Sequence, residues 1–388
     1  MNHISPGHDA ILASLAAPVD GAAILHNVEA ILPIVRAEAD ESARLGHLTE
    51  RLNEAFLRAG IYRAGFSRAR GGPEMPLAQQ TKMVELVATV DGACAWNVAV
   101  LAATGFYACR LGEEAFAELY PHLDLPTAGS FNPRGRAHVV EGGYRVTGTW
   151  KFGSGIHSAH YVLGGAEVFE GGEPVRKPDG SQLVLGFWFR VPEVEILDDW
   201  HVVGLEASGS SGYRVTDHFV PAAHTFDRHF APNPAADPLN RLVELPFYSM
   251  VGIAAGLAQH AIDIASDTLR ARPQVNERQY GLLGEAQSLL RAVRAVVYAG
   301  VQRMDEVLFD EGGVPTPREM ARGDAPVATE LARRIVDLCM EIAGSRMVYS
   351  TYPLERVMRD LVGLSAHAST YRSRYIDIGK IYLEKPAQ

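Results

Sequence analysis

Apolar residues recur at helical spacing in the first third of the chain. Those of residues 48–59 lie three or four positions apart, and Gly60 follows them as the expected C-cap. Residues 70–73 (RGGP) interrupt the pattern with a loop, because glycine and proline break regular structure. Helical spacing then resumes, so we expect an N-terminal helical domain over residues 1–125.

In the middle third, β-branched and aromatic residues alternate with polar ones. The clearest example is residues 138–147 (HVVEGGYRVT), which predict two strands around a Gly-Gly hairpin turn. Residues 183–189 and 213–220 predict further strands, and the Gly-, Pro- and charge-rich residues 170–181 predict an exposed loop. This pattern indicates a central β domain over residues 126–232.

Apolar stripes at helical spacing return in the last third. They comprise Ile253, Leu257, Ala261, Ile264 and Thr268; Leu289, Val293, Val297, Val301, Met304 and Leu308; and Leu331, Ile335, Leu338 and Ile342. Such stripes are typical of a core or a subunit interface, so we assign them no chemistry. We expect a helical bundle over residues 233–388, with residues 310–326 as a connection.

Composition narrows the class of protein. The net charge of -10, without any basic run, argues against a nucleic-acid partner. Cys94, Cys109 and Cys339 are widely spaced, which indicates free thiols in a reducing compartment. No targeting signal is recognisable, and no apolar run approaches the roughly 20 residues of a membrane helix. These features predict a cytoplasmic protein without membrane contact.

Several common site patterns are missing from the sequence. It contains no G-x-G-x-x-G after a strand, no P-loop, no H-E-x-x-H and no G-x-S-x-G. His157 and His160 fall on a predicted strand, where this spacing points the rings to opposite faces. We therefore expect neither a metal site nor a Rossmann cofactor site.

Several segments, in order, resemble those of acyl-CoA dehydrogenases over nearly the whole chain. Residues 147–155 (TGTWKFGSG) resemble the flavin-facing strand of that family, and residues 131–137 (FNPRGRA) occupy the place of its first flavin-lining loop. Residues 352–360 (YPLERVMRD) are similar to its Tyr-Pro-x-Glu-Arg-x-x-Arg-Asp segment. The resemblance implies an α+β fold with an N-terminal helical domain, a central β-barrel-like domain and a C-terminal four-helix bundle.

Two features resemble one branch of that fold, the two-component flavin monooxygenases. Residues 364–369 (LSAHAS) hold His367 where dehydrogenases carry their catalytic glutamate, and residues 150–155 fit a Trp-x-Phe-x-Ser-Gly pattern. The branch includes oxygenase components acting on hydroxyphenylacetate, phenolic steroid fragments, dibenzothiophene and polyketides. The resemblance implies reduced FMN or FAD from a separate NAD(P)H:flavin reductase, O2, a flavin C4a-hydroperoxide as oxygen donor, a small-molecule substrate and a homotetramer.

The same resemblance assigns the site residues. His367 is the expected acid–base, since imidazole exchanges protons near neutrality, and Ser154 is expected to hydrogen-bond flavin N5. The remaining cofactor residues are Phe131, Asn132, Trp150, Phe152, Arg272 and Arg278, and the substrate pocket is assigned to Trp96, Tyr107 and His367. The residues alone also allow structural roles. Ser154 could hydrogen-bond a backbone amide at the end of a strand, and His367 could be a packed core residue. Trp150 and Phe152 could fill the core of the β domain.

One departure keeps alternatives open. Phenol-hydroxylating members carry a histidine in the second helical stretch, where residues 102–107 (AATGFY) have none. N- or S-oxygenation, or a differently held polyketide phenol, therefore stands beside aromatic hydroxylation. A second hypothesis is an acyl-CoA dehydrogenase-type enzyme with Glu244 as base, and a third is a catalytically silent flavin-binding homologue.

Overall fold

The computed structural model describes residues 6–228, 233–243, 248–316 and 324–383. Helices occupy the chain up to the first strand. They are α1 (Pro6–Ser14), α2 (Gly21–Leu45), α3 (Glu50–Ala59), α4 (Leu77–Ala88), α5 (Gly92–Leu101), α6 (Thr104–Ala108) and α7 (Glu113–Leu119). Thr49 caps α3 through a bond from the Leu52 amide, and Gly60 ends it at φ 85°, which confirms the predicted C-cap.

The strands that follow form one mixed sheet. They are β1 (Thr127–Val140), β2 (Gly143–Trp150), β3 (Tyr161–Glu170), β4 (Glu173–Pro174), β5 (Val184–Arg190), β6 (Glu195–Ile196), β7 (Tyr213–Pro221) and β8 (Thr225–Asp227). The strand order is β6-β7-β2-β1-β3-β5-β8, with β4 on β3, and β1 pairs with β3 in parallel. Val140 pairs with Gly143, which confirms the predicted hairpin.

Long helices form the last part of the described chain. They are α8 (Tyr248–Arg270), α9 (Glu277–Phe309), α10 (Asp324–Ala343), α11 (Leu354–Ser365) and α12 (Arg374–Leu383). Helix α10 packs on α8, α9 and α11, and α8 also packs on α4. The close α4–α8 approach needs glycine, because a Cβ at Gly252 would lie 2.6 Å from the Thr81 carbonyl oxygen. These packed layers confirm the predicted α+β fold class.

One local prediction is wrong. His157 lies in a short 3-10 helix (Ile156–Ser158) rather than on a strand, because Gly155 turns the chain at φ 76° just before it. The His157 ring stacks on His47, with centroids 4.7 Å apart, and hydrogen-bonds Ser211. Within the described ranges, no group of three or more His, Cys, Asp or Glu residues is arranged to hold a metal ion.

Within the described part of the chain, no helix is both long enough and apolar enough to cross a membrane.

Candidate functional site

Ser154 lies in the turn that follows β2. The amide of Gly153 donates to the Ser211 carbonyl at 3.0 Å, and the amide of Gly155 donates to the Ser208 carbonyl at 2.9 Å. The turn is thereby fastened to residues 204–211, which we call the serine loop. Ser154 is buried between these backbone bonds.

Helix α5 brings a tryptophan to this serine. Asp91 caps the helix by accepting from the Cys94 amide at 2.8 Å. Little more than one turn later, the Trp96 indole Nε1–H donates to Ser154 Oγ at 3.0 Å. The next residue, Asn97, donates to the Ala207 carbonyl at 2.9 Å. Helix α5 is therefore tied to both the Ser154 turn and the serine loop.

His367 reaches the same place from the segment after α11. Its half-buried ring stands edge-to-face on Trp96, with centroids 5.2 Å apart and an angle of 77°. His367 Nδ1 lies 2.7 Å from the Ser369 hydroxyl oxygen and 3.3 Å from the Ser369 amide nitrogen, so Ser369 orients the ring at this nitrogen. Trp96, Ser154 and His367 thus form one cluster, which we call the indole–hydroxyl–imidazole cluster.

Two further hydroxyls extend this cluster. Ser154 Oγ lies 2.6 Å from Ser210 Oγ, and Ser210 Oγ lies 2.9 Å from Ser208 Oγ. These three residues, which we call the serine chain, are all buried. No motif predicts a role for Ser208 or Ser210. The available signal is the run 208–212 (SGSSG), which indicates a tight turn.

Trp150 requires a correction. It is fully buried, stacks on Tyr213 with ring centroids 5.3 Å apart, and donates its indole N–H to the Gly165 carbonyl at 2.9 Å. It therefore fills the core of the β domain and has no surface left to line a cofactor. The core alternative is the correct one for this residue.

Phe152 has the opposite environment. It is 63% exposed, has a left-handed φ of 64°, and meets Trp200 edge-on with centroids 6.3 Å apart. A bulky residue with positive φ is strained, and such strain persists where the surroundings fix it, commonly at functional sites. Phe152 presents an aromatic face two residues from Ser154.

The predicted loop residues lie where β1 leaves its regular register. Register shifts between Ser130 and Pro133, and again before Gly135, interrupt the ladder to β3 at Phe131 and Asn132. Asn132 is exposed. The Ser130 amide donates to the Tyr213 hydroxyl at 3.0 Å.

Tyr107 has Tyr213 as its electrostatic neighbour. Burial raises the pKa of the Tyr107 phenol, and the hydroxyl of Tyr213 raises it further. Its ring packs edge-to-face against Phe106 at 5.2 Å. Tyr107 is therefore a half-buried residue with Tyr213 as its electrostatic neighbour, and the assignment to a substrate pocket stays a prediction.

In the single chain, the two predicted phosphate-binding arginines contact the end of α10, and their role toward the flavin phosphate stays a prediction. Arg272 donates to the Ile342 carbonyl at 2.7 Å, and Arg278 forms an exposed ion pair with Glu341. Leu257 of α8 lies against the start of α5, and the helix rise puts Arg272 roughly 20 Å further along. Both arginines are thus remote from the start of α5. Glu244 lies outside the described residues.

Helix α11 is joined to the serine loop by an aspartate. Asp360 accepts from the Leu205 amide at 2.7 Å, and Arg359 pairs with both Glu206 and Glu355. Arg359 and Asp360 therefore both contact the serine loop. Burial, and the neighbouring Asp91 carboxylate, raise the pKa of Asp360 to about 8.

Comparison with known proteins agrees with this architecture. Residues 248–372 match the family model described as the acyl-CoA dehydrogenase C-terminal domain. The indole-3-acetate monooxygenase of Pseudomonas putida is 28% identical over 386 residues, which cover 95% of this chain and 96% of that protein. The flavin-dependent monooxygenase oxygenase subunit HsaA of Rhodococcus jostii is 25% identical over 368 residues, which cover 89% of this chain and 94% of that subunit.

A solved structure has the same fold. The crystal structure of XiaF from Streptomyces, in complex with FADH2 and glycerol, superposes with a TM-score of 0.81 at 20% identity, and covers 97% of this chain and 98% of XiaF. The predicted fold is thereby confirmed, and so is the resemblance: along nearly its whole length, the chain is similar to flavin-dependent monooxygenases.

Proposed function

We propose that this enzyme uses reduced FMN or FAD and O2 to oxygenate a bulky, hydrophobic aromatic small molecule. The observation that carries the proposal is the indole–hydroxyl–imidazole cluster, which joins a hydroxyl donor and a proton-exchanging ring around a buried tryptophan. Overall, one oxygen atom of O2 enters the substrate and the other leaves as water, with two electrons drawn from the reduced flavin.

The residues around Ser154 fit a flavin ring. A flavin offers a flat apolar face and a polar edge, which need an aromatic surface and hydrogen-bond donors. Phe152 presents an exposed ring two residues from Ser154, and the exposed amide of Asn132 lies at the β1 irregularity. Once bound, the reduced flavin supplies the activation of O2, which no amino-acid side chain provides.

His367 handles the proton at the substrate. Ser369 contacts the ring at Nδ1, so we assign proton exchange with the substrate to Nε2. An imidazole that is oriented at one edge can exchange a proton at the other. Trp96 packs against the ring edge-to-face and keeps water from that side of it.

The substrate class follows from the apolar surroundings of α5. Ala99 and Ala102 are buried along with Trp96, and residues 102–107 carry no histidine to fix a phenolate. Indole-3-acetate, named for the Pseudomonas putida relative, is a bicyclic aromatic acid of this size class. We therefore favour a fused or substituted aromatic ring, with oxygen insertion at carbon preferred over nitrogen or sulfur.

The enzyme is supplied by a separate NAD(P)H:flavin reductase in the cytoplasm and works as a homotetramer. Helix α12 supports the assembly, because it buries no residue in the single chain and exposes Ile376, Tyr382 and Leu383. Apolar side chains exposed together on a helix are typical of a subunit interface. Light scattering of the purified protein should give four times the mass of the 42.1 kDa chain.

The activity is tested by supplying reduced FMN or reduced FAD under ¹⁸O2 with a panel of aromatic acids, phenols, amines and thioethers. We expect one ¹⁸O atom in the product of an aromatic substrate. His367→Gln should lose most of the turnover while retaining flavin binding, whereas Ser14→Ala, remote in sequence and exposed, should leave both unchanged. Flavin that reoxidises as fast as in buffer, without labelled product from any substrate, would contradict the proposal.

A further inference from the structure

The serine chain contains one more hydrogen than its internal bonds use. Trp96 Nε1–H donates to Ser154 at 3.0 Å, and two hydroxyl–hydroxyl bonds of 2.6 and 2.9 Å link Ser154, Ser210 and Ser208. The indole has a donor and no acceptor, while each hydroxyl has one donor and two acceptor positions. Three hydroxyl hydrogens therefore serve two hydroxyl–hydroxyl bonds, and one hydrogen is left over.

The leftover hydrogen resides on whichever hydroxyl donates to neither neighbour. If Ser154 donates to Ser210 and Ser210 to Ser208, it resides on Ser208. If both outer serines donate to Ser210, it resides on Ser210. If Ser208 donates to Ser210 and Ser210 to Ser154, it resides on Ser154. Ser210 cannot donate twice, so these three arrangements are the complete set.

Burial selects among the three arrangements. Ser208 is 1% exposed, Ser210 is 4% exposed and Ser154 is 7% exposed. A buried donor without an acceptor costs about 1–3 kcal/mol. The leftover hydrogen is thus least costly on Ser154, which is the most exposed of the three serines.

We infer that Ser208 and Ser210 act as positioning residues that turn the Ser154 hydroxyl outward as a donor. In this arrangement Ser154 accepts from Trp96 and from Ser210, which fills its two acceptor positions. Its own hydrogen then points to an acceptor on the polar edge of the bound flavin. Donation from Ser208 to Ser210 and from Ser210 to Ser154 also polarises the Ser154 hydroxyl, which strengthens its hydrogen bond to the flavin. This inference rests on the proposed function and assigns it two further residues.

The backbone holds the serine chain in place. Gly209 sits between Ser208 and Ser210 in a left-handed conformation, at φ 54°. A Cβ at this position would lie 3.0 Å from the side chains of both His157 and His47. The serine loop is therefore packed too closely to let the two hydroxyls drift, as a positioning role requires.

The first test needs no flavin. The chain has four tryptophans, so a ¹H–¹⁵N spectrum of the whole protein shows four indole N–H signals, assignable by Trp→Phe variants. We expect Ser210→Ala to shift the Trp96 signal, because its acceptor Ser154 loses a polarising donor. Ser211→Ala is the matched control, since Ser211 is a buried loop neighbour that binds His157 instead. An unmoved Trp96 signal in Ser210→Ala would overturn the coupling.

The second test measures the direction of donation. Hydrogen peroxide released per O2 consumed reports how much reduced flavin is oxidised without oxygenating the substrate. We expect Ser210→Ala to raise this leak roughly fivefold, as loss of about one hydrogen bond would. Ser154→Ala should raise it more, Ser208→Ala less, and Ser210→Thr, which keeps the hydroxyl, should restore it.

The two tests separate the inference from the proposed function. A smaller leak in Ser210→Ala would mean that Ser154 normally donates toward Ser210, and would overturn the assigned direction. If the wild-type protein itself oxidised flavin as buffer does, the proposed function would fail. The indole spectrum would still decide whether the serine chain is coupled.

Discussion

Replacing the buried Asp360 by asparagine tests how a carboxyl group buried between α11 and the serine loop affects the free energy of unfolding. Burial first, and the neighbouring Asp91 second, raise the pKa of Asp360 from the usual 3.8 to about 8. Between these pH values the folded protein keeps a proton that the unfolded chain releases. The contribution of Asp360 to the free energy of unfolding is therefore complete below about pH 4 and is lost as the pH rises to about 8.

The size of this loss follows from the shift. Each pH unit in the window removes about 1.4 kcal/mol, so the wild-type protein should lose about 4 kcal/mol between about pH 5 and pH 8 from this group alone. Asparagine cannot titrate, yet its carbonyl oxygen can still accept from the Leu205 amide, which bonds Asp360 at 2.7 Å. Asp360→Asn should therefore match the wild type near pH 4 and exceed its stability by a margin that grows up to about pH 8.

The assay is urea unfolding of both proteins at four pH values, followed by tryptophan fluorescence. Asp305→Asn is the matched control, because burial raises the pKa of Asp305 only to about 6, while it accepts from the Leu77 and Ala78 amides. Its difference from the wild type should stop changing above about pH 6, whereas that of Asp360→Asn should continue to about pH 8. A stability difference for Asp360→Asn that stays constant across this range would refute the reasoning.

The remaining predictions concern residues whose environments decide between structural and functional roles. Trp150→Phe should lower the free energy of unfolding in urea by about 2–4 kcal/mol, because it leaves a cavity and removes the hydrogen bond to Gly165. Flavin binding should stay unchanged; weaker binding would indicate that Trp150 contacts the flavin. Phe152→Gly should raise the free energy of unfolding by roughly 1 kcal/mol, because glycine adopts the positive φ without strain. The variant should nevertheless bind flavin more weakly. A less stable variant would show that the backbone at Phe152 is not strained. Arg278→Ala should leave stability within about 0.5 kcal/mol, since its ion pair is exposed. If Arg278 binds the flavin phosphate, calorimetry on Arg278→Ala will show FMN binding weakened by about tenfold and riboflavin binding unchanged. Arg272→Ala will behave in the same way. An equal loss of affinity for FMN and riboflavin would exclude contact with the phosphate.

The sequence predicts the large elements well because their signals are local. Apolar spacing places the helices, Gly60 ends one of them, and the Gly-Gly pair near Gly142 sets a hairpin register. Each of these depends on residues within a few positions of one another. The resemblance then orders the elements into a fold that no single pattern specifies.

The site is predicted only in part, because its contacts are long-range. Trp96, Ser154 and His367 are all named by resemblance, but the contacts that join them link residues far apart in the sequence and have no local signal. Trp150 fails as a cofactor residue since alternation shows that one strand face is buried and leaves open which residue points inward. Ser210 has no signal beyond a Gly-Ser turn, because a hydroxyl acquires its role from neighbours that only folding supplies.

The contacts between the serine loop and α11 fix the positions of Ser154 and His367 relative to each other. A Cβ at Gly204 would lie 2.0 Å from the Arg359 carbonyl oxygen, so the loop touches the helix backbone directly. Asp360 accepts from Leu205 one residue later, and Arg359 binds Glu206. The loop continues into the serine chain, and α11 continues into the segment that carries His367. The Ser154 hydroxyl that we propose faces the flavin and the His367 imidazole that we propose serves the substrate are therefore placed by one short interface, with Trp96 in contact with both.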